Sequence, residues 1–298
     1  IIASGGYINN KEWIKKYNGF ELGVNLMPVG SVSKTGDGIR MAWEAGAAAE
    51  GLECLEMFAV APVGPEFDML NELELASMQP NLWVDTEGRR YCDEGIAFFD
   101  TSVGNVNARY KSGPTFRILD DFLIDRLGTY GIEKDGSSDR PPGSRLKNIR
   151  PVIDAALANG SSEVLKADSV EGLAEKMGVD PAVFKATVDE YNYFCEKGRD
   201  ELFAKDPRYL VPLKGPTYYA TRCYTVSLGT KGGIKINEKM EVVDKKNKPI
   251  QGLYAGGLDA GGLYGDSYPI FPSTGLASGF ALNSGRIAGR NAVGYIRE

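Results

Sequence analysis

The chain has 298 residues, 43% hydrophobic and 25% charged, enough for one large or two ordinary domains. Its net charge of -6, with basic residues scattered rather than clustered, excludes a nucleic-acid-binding surface, and no apolar run approaches the ~20 residues of a membrane span. The absence of histidine removes Ser-His, Cys-His and His-metal chemistry, and Cys54, Cys92, Cys195 and Cys223 lie too far apart for a redox or metal motif. The first residues lack the basic start and cleavage site of a secretory leader, but a removed or absent N-terminus could have carried one, so a soluble protein is expected with its compartment, cytoplasmic or exported, left open.

In chain order, Ile1 to Gly6 reads as the end of a buried strand running into a glycine turn. Thr35-Gly36-Asp37-Gly38 then precedes a helix with Ile39, Ala42 and Trp43 at i, i+3, i+4 spacing, and Asp37 is expected to cap it. Leu82 to Tyr91 reads as a β-hairpin with an exposed Glu87-Gly88 turn. Pro114 to Leu127 reads as a helix with Ile118, Leu119, Phe122 and Leu123 on one face, and Lys134 to Ser144 as an exposed polar loop. Asp180 caps a helix with Pro181 at its first position and a stripe of Val183, Phe184, Val188, Tyr191 and Cys195, ending at Gly198.

Tyr224 to Leu228 reads as a strand, Gly229 to Gly233 as a glycine turn, and Ile234 to Val243 and Ile250 to Ala255 as strands around the polar turn Asp244 to Lys248. The end of the last strand (Leu253 to Ala255) meets Gly256 and Gly257, then a Pro-bearing loop, then Ser273 and Thr274 opening a small-residue helix to about Val293. Glycines let backbone approach a ligand closely, and a helix N-terminus offers free N–H groups with about half a positive charge. The layout therefore suits a large, flat, polar cofactor such as an isoalloxazine, whose N1 and C2-carbonyl edge gains negative charge on reduction. A glycine turn before a tightly packed helix accounts for the same pattern.

Three segments, Ala3 to Gly6, Thr35 to Gly38 and Leu253 to Gly257, occur in the order found in the FAD-binding fumarate reductase and 3-ketosteroid dehydrogenase superfamily, which the chain resembles over essentially its whole length. The resemblance implies an α/β plus α+β protein: an incomplete Rossmann-like FAD-binding domain built from residues 1–58 and 229–298, with a capping domain inserted at 59–228. It implies FAD as cofactor, contacted by Ser4, Gly5, Gly6, Thr35, Gly36, Asp37, Gly256, Gly257, Ser273, Thr274, Gly275 and Leu276. The family's G-x-G-x-x-G fingerprint does not occur before residue 30. The chain is therefore expected to be a truncated piece of its parent enzyme, binding FAD weakly or not at all by itself. A non-catalytic fragment, or a subunit that completes another chain, is the alternative.

In fumarate reductases of this superfamily an arginine delivers the proton four residues after the glutamate of an R-F-x-N-E segment. Here that glutamate is Glu94 and the arginine's place holds Phe98, while the histidines that clamp the dicarboxylate correspond to Leu228, Gly229 and Tyr264. A dianion needs cationic donors to offset its desolvation, so fumarate is rejected as substrate. Resemblance to the ketosteroid dehydrogenases, through Leu228 to Gly233 (L-G-T-K-G-G) and Ser267 to Pro272, implies a catalytic role for Tyr268. Their second catalytic tyrosine also falls at Phe98. Phe98 and Phe99 are read either as capping-domain core or as the wall of an aromatic pocket. The resulting expectation is an FAD-dependent oxidoreductase, moving hydride between flavin N5 and an activated C–C or C=C bond of a neutral small molecule. An electron-donor protein is a candidate partner, no metal is involved, and a ketosteroid dehydrogenase-like enzyme is a second alternative.

Overall fold

A computed structural model describes residues 1–30, 32–110, 113–136, 139–265, 268 and 275–297. The chain forms two units, residues 1–58 with 226–298 and residues 59–225. The second division thus falls at 225/226, where the sequence reading has 228/229.

In the first unit, Asn10 accepts the Trp13 N–H and starts the short helix α1 (Lys11–Trp13), which widens over Ile14–Asn18 and stops at Gly19. Strand β1 (Met27–Pro28) pairs in parallel with residues 226–227. Helix α2 (Asp37–Glu44) buries Gly38, Ile39 and Ala42, as their spacing requires. Its N-cap is Gly36, not Asp37: the Asp37 carboxylate accepts from the Thr35 hydroxyl at 2.7 Å and from Arg40 at 2.9 Å, and caps no backbone N–H. Strand β2 (Leu55–Val60) follows.

Helix α3 (Glu72–Ser77) opens the second unit's regular structure, followed by β3 (Leu82–Val84) and α4 (Asp100–Asn107). Strand β4 (Thr115–Asp120) pairs antiparallel with β3 on one side and with β6 (Tyr218–Thr230) on the other. All six of its residues are buried, so polar alternation is lost and the run imitates a helical face. That corrects the helix read from Pro114: Ile118 and Leu119 belong to β4, and the helix α5 (Asp121–Tyr130) begins where the Asp120 carboxylate accepts the Leu123 N–H at 2.8 Å. The hairpin turn forms, with the Asp85 N–H donating to the Arg89 carbonyl at 2.9 Å, but the pairing across it is short. β3 takes β4 as its ladder partner, Val84 and Arg90 make an isolated bridge, and Gly88 is buried while Glu87 is exposed.

Helix α6 (Ile149–Ala158), strand β5 (Val164–Ala167, paired with β6), and helices α7 (Val170–Met177) and α8 (Pro181–Lys197) complete the unit. The pleat sorts side chains between two cores. Phe116 and Ile118 pack with Leu173, Phe184 and Tyr191, whereas Leu119 and Tyr219 pack with Leu123, Leu127 and Ile153. Each such burial contributes roughly 1.5–3 kcal/mol. Lys134, expected on an exposed loop, is buried and pairs with Asp100 at 3.0 Å.

After β6, strands β7 (Glu241–Val243) and β8 (Pro249–Tyr254) form a hairpin whose turn is held by the Asp244 carboxylate, an acceptor for the Lys246 and Lys248 N–H groups. Of the strand expected over Ile234 to Val243, only β7 forms; Ile234 with Ala260 and Ile236 with Val242 make isolated bridges, because Met240 turns the chain at φ 63°. Helix α9 (Leu276–Arg297) runs past Val293 and buries Ser284 and Ala288. Among the described residues no helix is long and apolar enough to cross a membrane.

Candidate functional site

The three glycine segments converge within the first unit. Ile2 bridges Ala255 in parallel, donating its N–H to Tyr254 and accepting from Gly256 at 3.0 Å. Gly36 donates to the Gly6 carbonyl at 3.1 Å, and Gly38 sits so close to the first segment that a Cβ there would meet Ile2 Cγ2 at 2.7 Å. Gly257 donates to the Ser284 hydroxyl of α9 at 2.9 Å.

A carboxylate that the sequence reading did not single out ties this junction together. Asp259, wholly buried, accepts from the N–H groups of Ser4, Gly5 (3.2 Å) and Gly6 (2.9 Å), and from the Ser4 hydroxyl at 3.1 Å. Successive N–H groups in a tight turn form a concavity for anions, and here the anion is supplied by the chain itself. An acidic residue following A-G-G in a glycine-dense strand end was the available signal.

The Thr35-Gly36-Asp37 turn is likewise engaged internally. Thr35 and Asp37 bond to each other, and the vacant side of Gly36 is filled by the Trp13 ring, 2.6 Å from where a Cβ would stand. Trp13 in turn stacks on Trp43 at 4.8 Å. Gly5, Gly257 and Gly275 differ. Each has positive φ, and a Cβ would meet nothing closer than 3.7 Å, so these backbone faces can be approached by a flat group. Leu276 is half-buried in the first turn of α9, while Ser273 and Thr274 lie outside the described residues.

Next to this junction Thr230 accepts the Tyr7 N–H at 3.0 Å, and Lys231 is buried in an ion pair with Glu56. Tyr268 is buried, its hydroxyl oxygen accepting the Ala277 N–H at 2.9 Å. Burial raises its phenol above the ordinary range, against the pull of that N–H. Tyr264 stands edge-on to Tyr268, with its hydroxyl buried and without a hydrogen-bond partner among the described residues. Burial, with Tyr268 and Glu56 nearby, pushes that phenol up to about 12. A buried hydroxyl with no partner among the described residues is what a bound polar group would satisfy.

In the second unit the R-Y-C-D-E segment has a structural explanation. Arg90 forks onto Glu94 (2.9 and 2.7 Å) and onto Asp200 (3.1 and 2.8 Å), and Lys205 joins Glu94 at 3.3 Å, all four side chains sealed from solvent. Phe98 and Phe99 are 36% and 38% exposed, which removes the core reading. Phe98 lies against the Tyr209 ring at 5.0 Å, forming an aromatic surface patch.

Residues 1–270 match the family profile described as FAD binding domain. The chain is 35% identical to a vinyl phenol reductase of Lactiplantibacillus plantarum, over 100% of this chain and 61% of that protein. It is similar in structure to a 3-ketosteroid delta1-dehydrogenase from Sterolibacterium denitrificans, at TM-score 0.73 and 25% identity over 99% of this chain and 52% of that one. It is also similar to the open conformation of a flavocytochrome c3 fumarate reductase, at TM-score 0.65 and 25% identity over 99% of this chain and 46% of that one. The chain thus spans about half to three-fifths of the length of these proteins.

Proposed function

The chain belongs to the FAD-binding domain family, and on that premise we propose that it is part of an FAD-dependent oxidoreductase that reduces, or forms, a C=C bond conjugated to an aromatic ring or a carbonyl in an uncharged small molecule. The convergence of the Ser4–Gly6, Thr35–Gly38 and Gly256–Asp259 segments, held against α9 at Ser284, carries this reading. Residues 1–58 and 226–298 would be the flavin-binding part, an incomplete Rossmann-like domain, and residues 59–225 the cap.

Gly5, Gly257, Gly275 and the first turn of α9, with the Tyr264 hydroxyl, would hold the flavin, and Asp259, Thr35, Gly36 and Asp37 would keep that surface in shape. When bound, FAD supplies the hydride acceptor or donor. Tyr268 would hold the proton: the bond from Ala277 uses one of its lone pairs and leaves the O–H hydrogen to be donated at the substrate carbon or its carbonyl oxygen. Phe98 and Tyr209, with the exposed Phe99, give the second unit an aromatic face suited to a flat molecule, in keeping with the vinyl phenol reductase likeness and with the missing cations that a dicarboxylate needs. Tyr268 and the L-G-T-K-G-G segment equally favour a ketosteroid dehydrogenase-like reaction, so a 3-ketosteroid belongs beside vinyl phenols in any substrate screen.

The test is the visible spectrum of the purified chain before and after FAD is added. Flavin bands that remain through desalting support the flavin-binding reading and open substrate screening. A protein that stays colourless confines the activity to a longer protein containing this sequence.

A further inference from the structure

A buried lysine, paired with the partly buried Glu56, faces the ring of Tyr268. Lys231 is 3% exposed, its ammonium pairs with Glu56, and its Nζ lies 4.8 Å from the centre of the Tyr268 ring. On that ring Tyr264 packs edge-on at 4.9 Å, and the oxygen is fixed by the Ala277 N–H at the start of α9. Among the described residues, the titratable groups facing Tyr268 are therefore Lys231, Glu56, Tyr264 and Cys54. The backbone of Lys231 is itself anchored, its N–H donating to the Cys54 carbonyl at 2.9 Å, so the lysine stem has a fixed origin.

We propose that the Lys231–Glu56 pair is a positioning device for Tyr268, fixing the ring and balancing the charge that its phenol experiences. This rests on the reading of Tyr268 as proton donor, but its test does not depend on turnover. An ammonium over a phenol ring is attracted to the π face and favours the phenolate, whereas a carboxylate at the same place favours the neutral phenol. Held together, the two charges oppose one another at the phenol, where Glu56 adds to burial in raising it. Burial then keeps Tyr268 protonated, with a hydrogen to give. Lys231 alone would strip that hydrogen more readily, and Glu56 alone would bind it too firmly.

The experiment is fluorine NMR of the 298-residue chain labelled with ring-fluorinated tyrosine, which titrates within the range a folded protein tolerates. The Tyr268 resonance is assigned by its loss in Tyr268→Phe and followed with pH. Glu56→Gln is expected to lower the Tyr268 midpoint by about one pH unit, a tenfold gain in acidity. Lys231→Met is expected to raise it by a similar amount, and the double variant to return near the wild-type value. Midpoints that stay in place, or that move in the same direction in both single variants, overturn the proposal, because a purely packing role gives no opposed signs. Should Lys231→Met fail to fold, Lys231→Arg must keep the wild-type midpoint while Glu56→Gln still lowers it. Full turnover by Tyr268→Phe in a flavin-loaded enzyme would remove the donor reading and leave the opposed titrations intact, so the two failures are distinguishable.

Discussion

Gly36 is held at φ 84° with the Trp13 ring and Tyr7 Cβ on its open side, so a methyl group there meets both unfavourable backbone energy and occupied space. Gly36→Ala is expected to destabilise the first unit by about 2–4 kcal/mol, summing a left-handed penalty of about 1 with an overpacking cost of about 1–3. Urea unfolding followed by tryptophan fluorescence measures it, since Trp13 and Trp43 stack beside the site. At Asp200 the effect is electrostatic. Burial opposes its charge, but the fork from Arg90 and the Leu202 and Phe203 N–H groups more than offset that, drawing its pKa down to about 2. A folded-state pKa below the unfolded value of about 4 gives stability that is complete above pH 4 and lost as pH falls from there toward 2. Asp200→Asn is expected to cost about 3–5 kcal/mol at neutral pH, because it leaves a sealed cation half-paired, and to flatten the acid limb of the stability profile between those values. Glu94→Gln, removing the other arm of the fork, should cost a similar amount.

Among the elements, α8 shows what a sequence can specify on its own. Asp180 accepts the Ala182 and Val183 N–H groups, Pro181 occupies the first turn where no partner is needed, and Gly198 ends the helix at φ 68°. Asp180→Ala is accordingly expected to lower stability by about 1 kcal/mol, measured by thermal melting, with Asp180→Ser nearly neutral. The buried stripe is less sharply written: Phe184, Val188 and Tyr191 are buried as expected, Val183 and Cys195 only partly, and Thr187 and Phe194 join them. Strand β4 was not legible, because burial on both faces leaves no alternation to distinguish its apolar residues from those of the adjoining helix. In the candidate site the glycine segments were visible as a pattern, but Asp259 was not. Its role depends on N–H groups 253 to 255 positions away, and no local period records such a partner. Nor does composition reveal whether a glycine is kept for a ligand or for a neighbouring ring, which is the difference between Gly257 and Gly36.

At the scale of the whole molecule, each of the two units has its own buried clusters: Met240, Tyr254 and Ala288 in one, and the paired cores about β4 in the other. A chain with separate cores need not melt in one step. Scanning calorimetry is expected to resolve two transitions. Asp200→Asn should lower one, Gly36→Ala the other, and neither variant should move both; a single transition shifted by both would show that the units unfold together. The junction between Ser4–Gly6 and Asp259 also bears on how the protein is made. Since 253 positions separate Gly6 from Asp259, a ribosome adding about 5–20 residues per second needs roughly 13–50 s to deliver the carboxylate after the turn has emerged. Through that interval the turn's N–H groups are served by water, while residues 59–225 find their partners within their own span. The inserted unit can therefore finish folding first, and the unit that encloses the candidate site closes only after Asp259 has emerged.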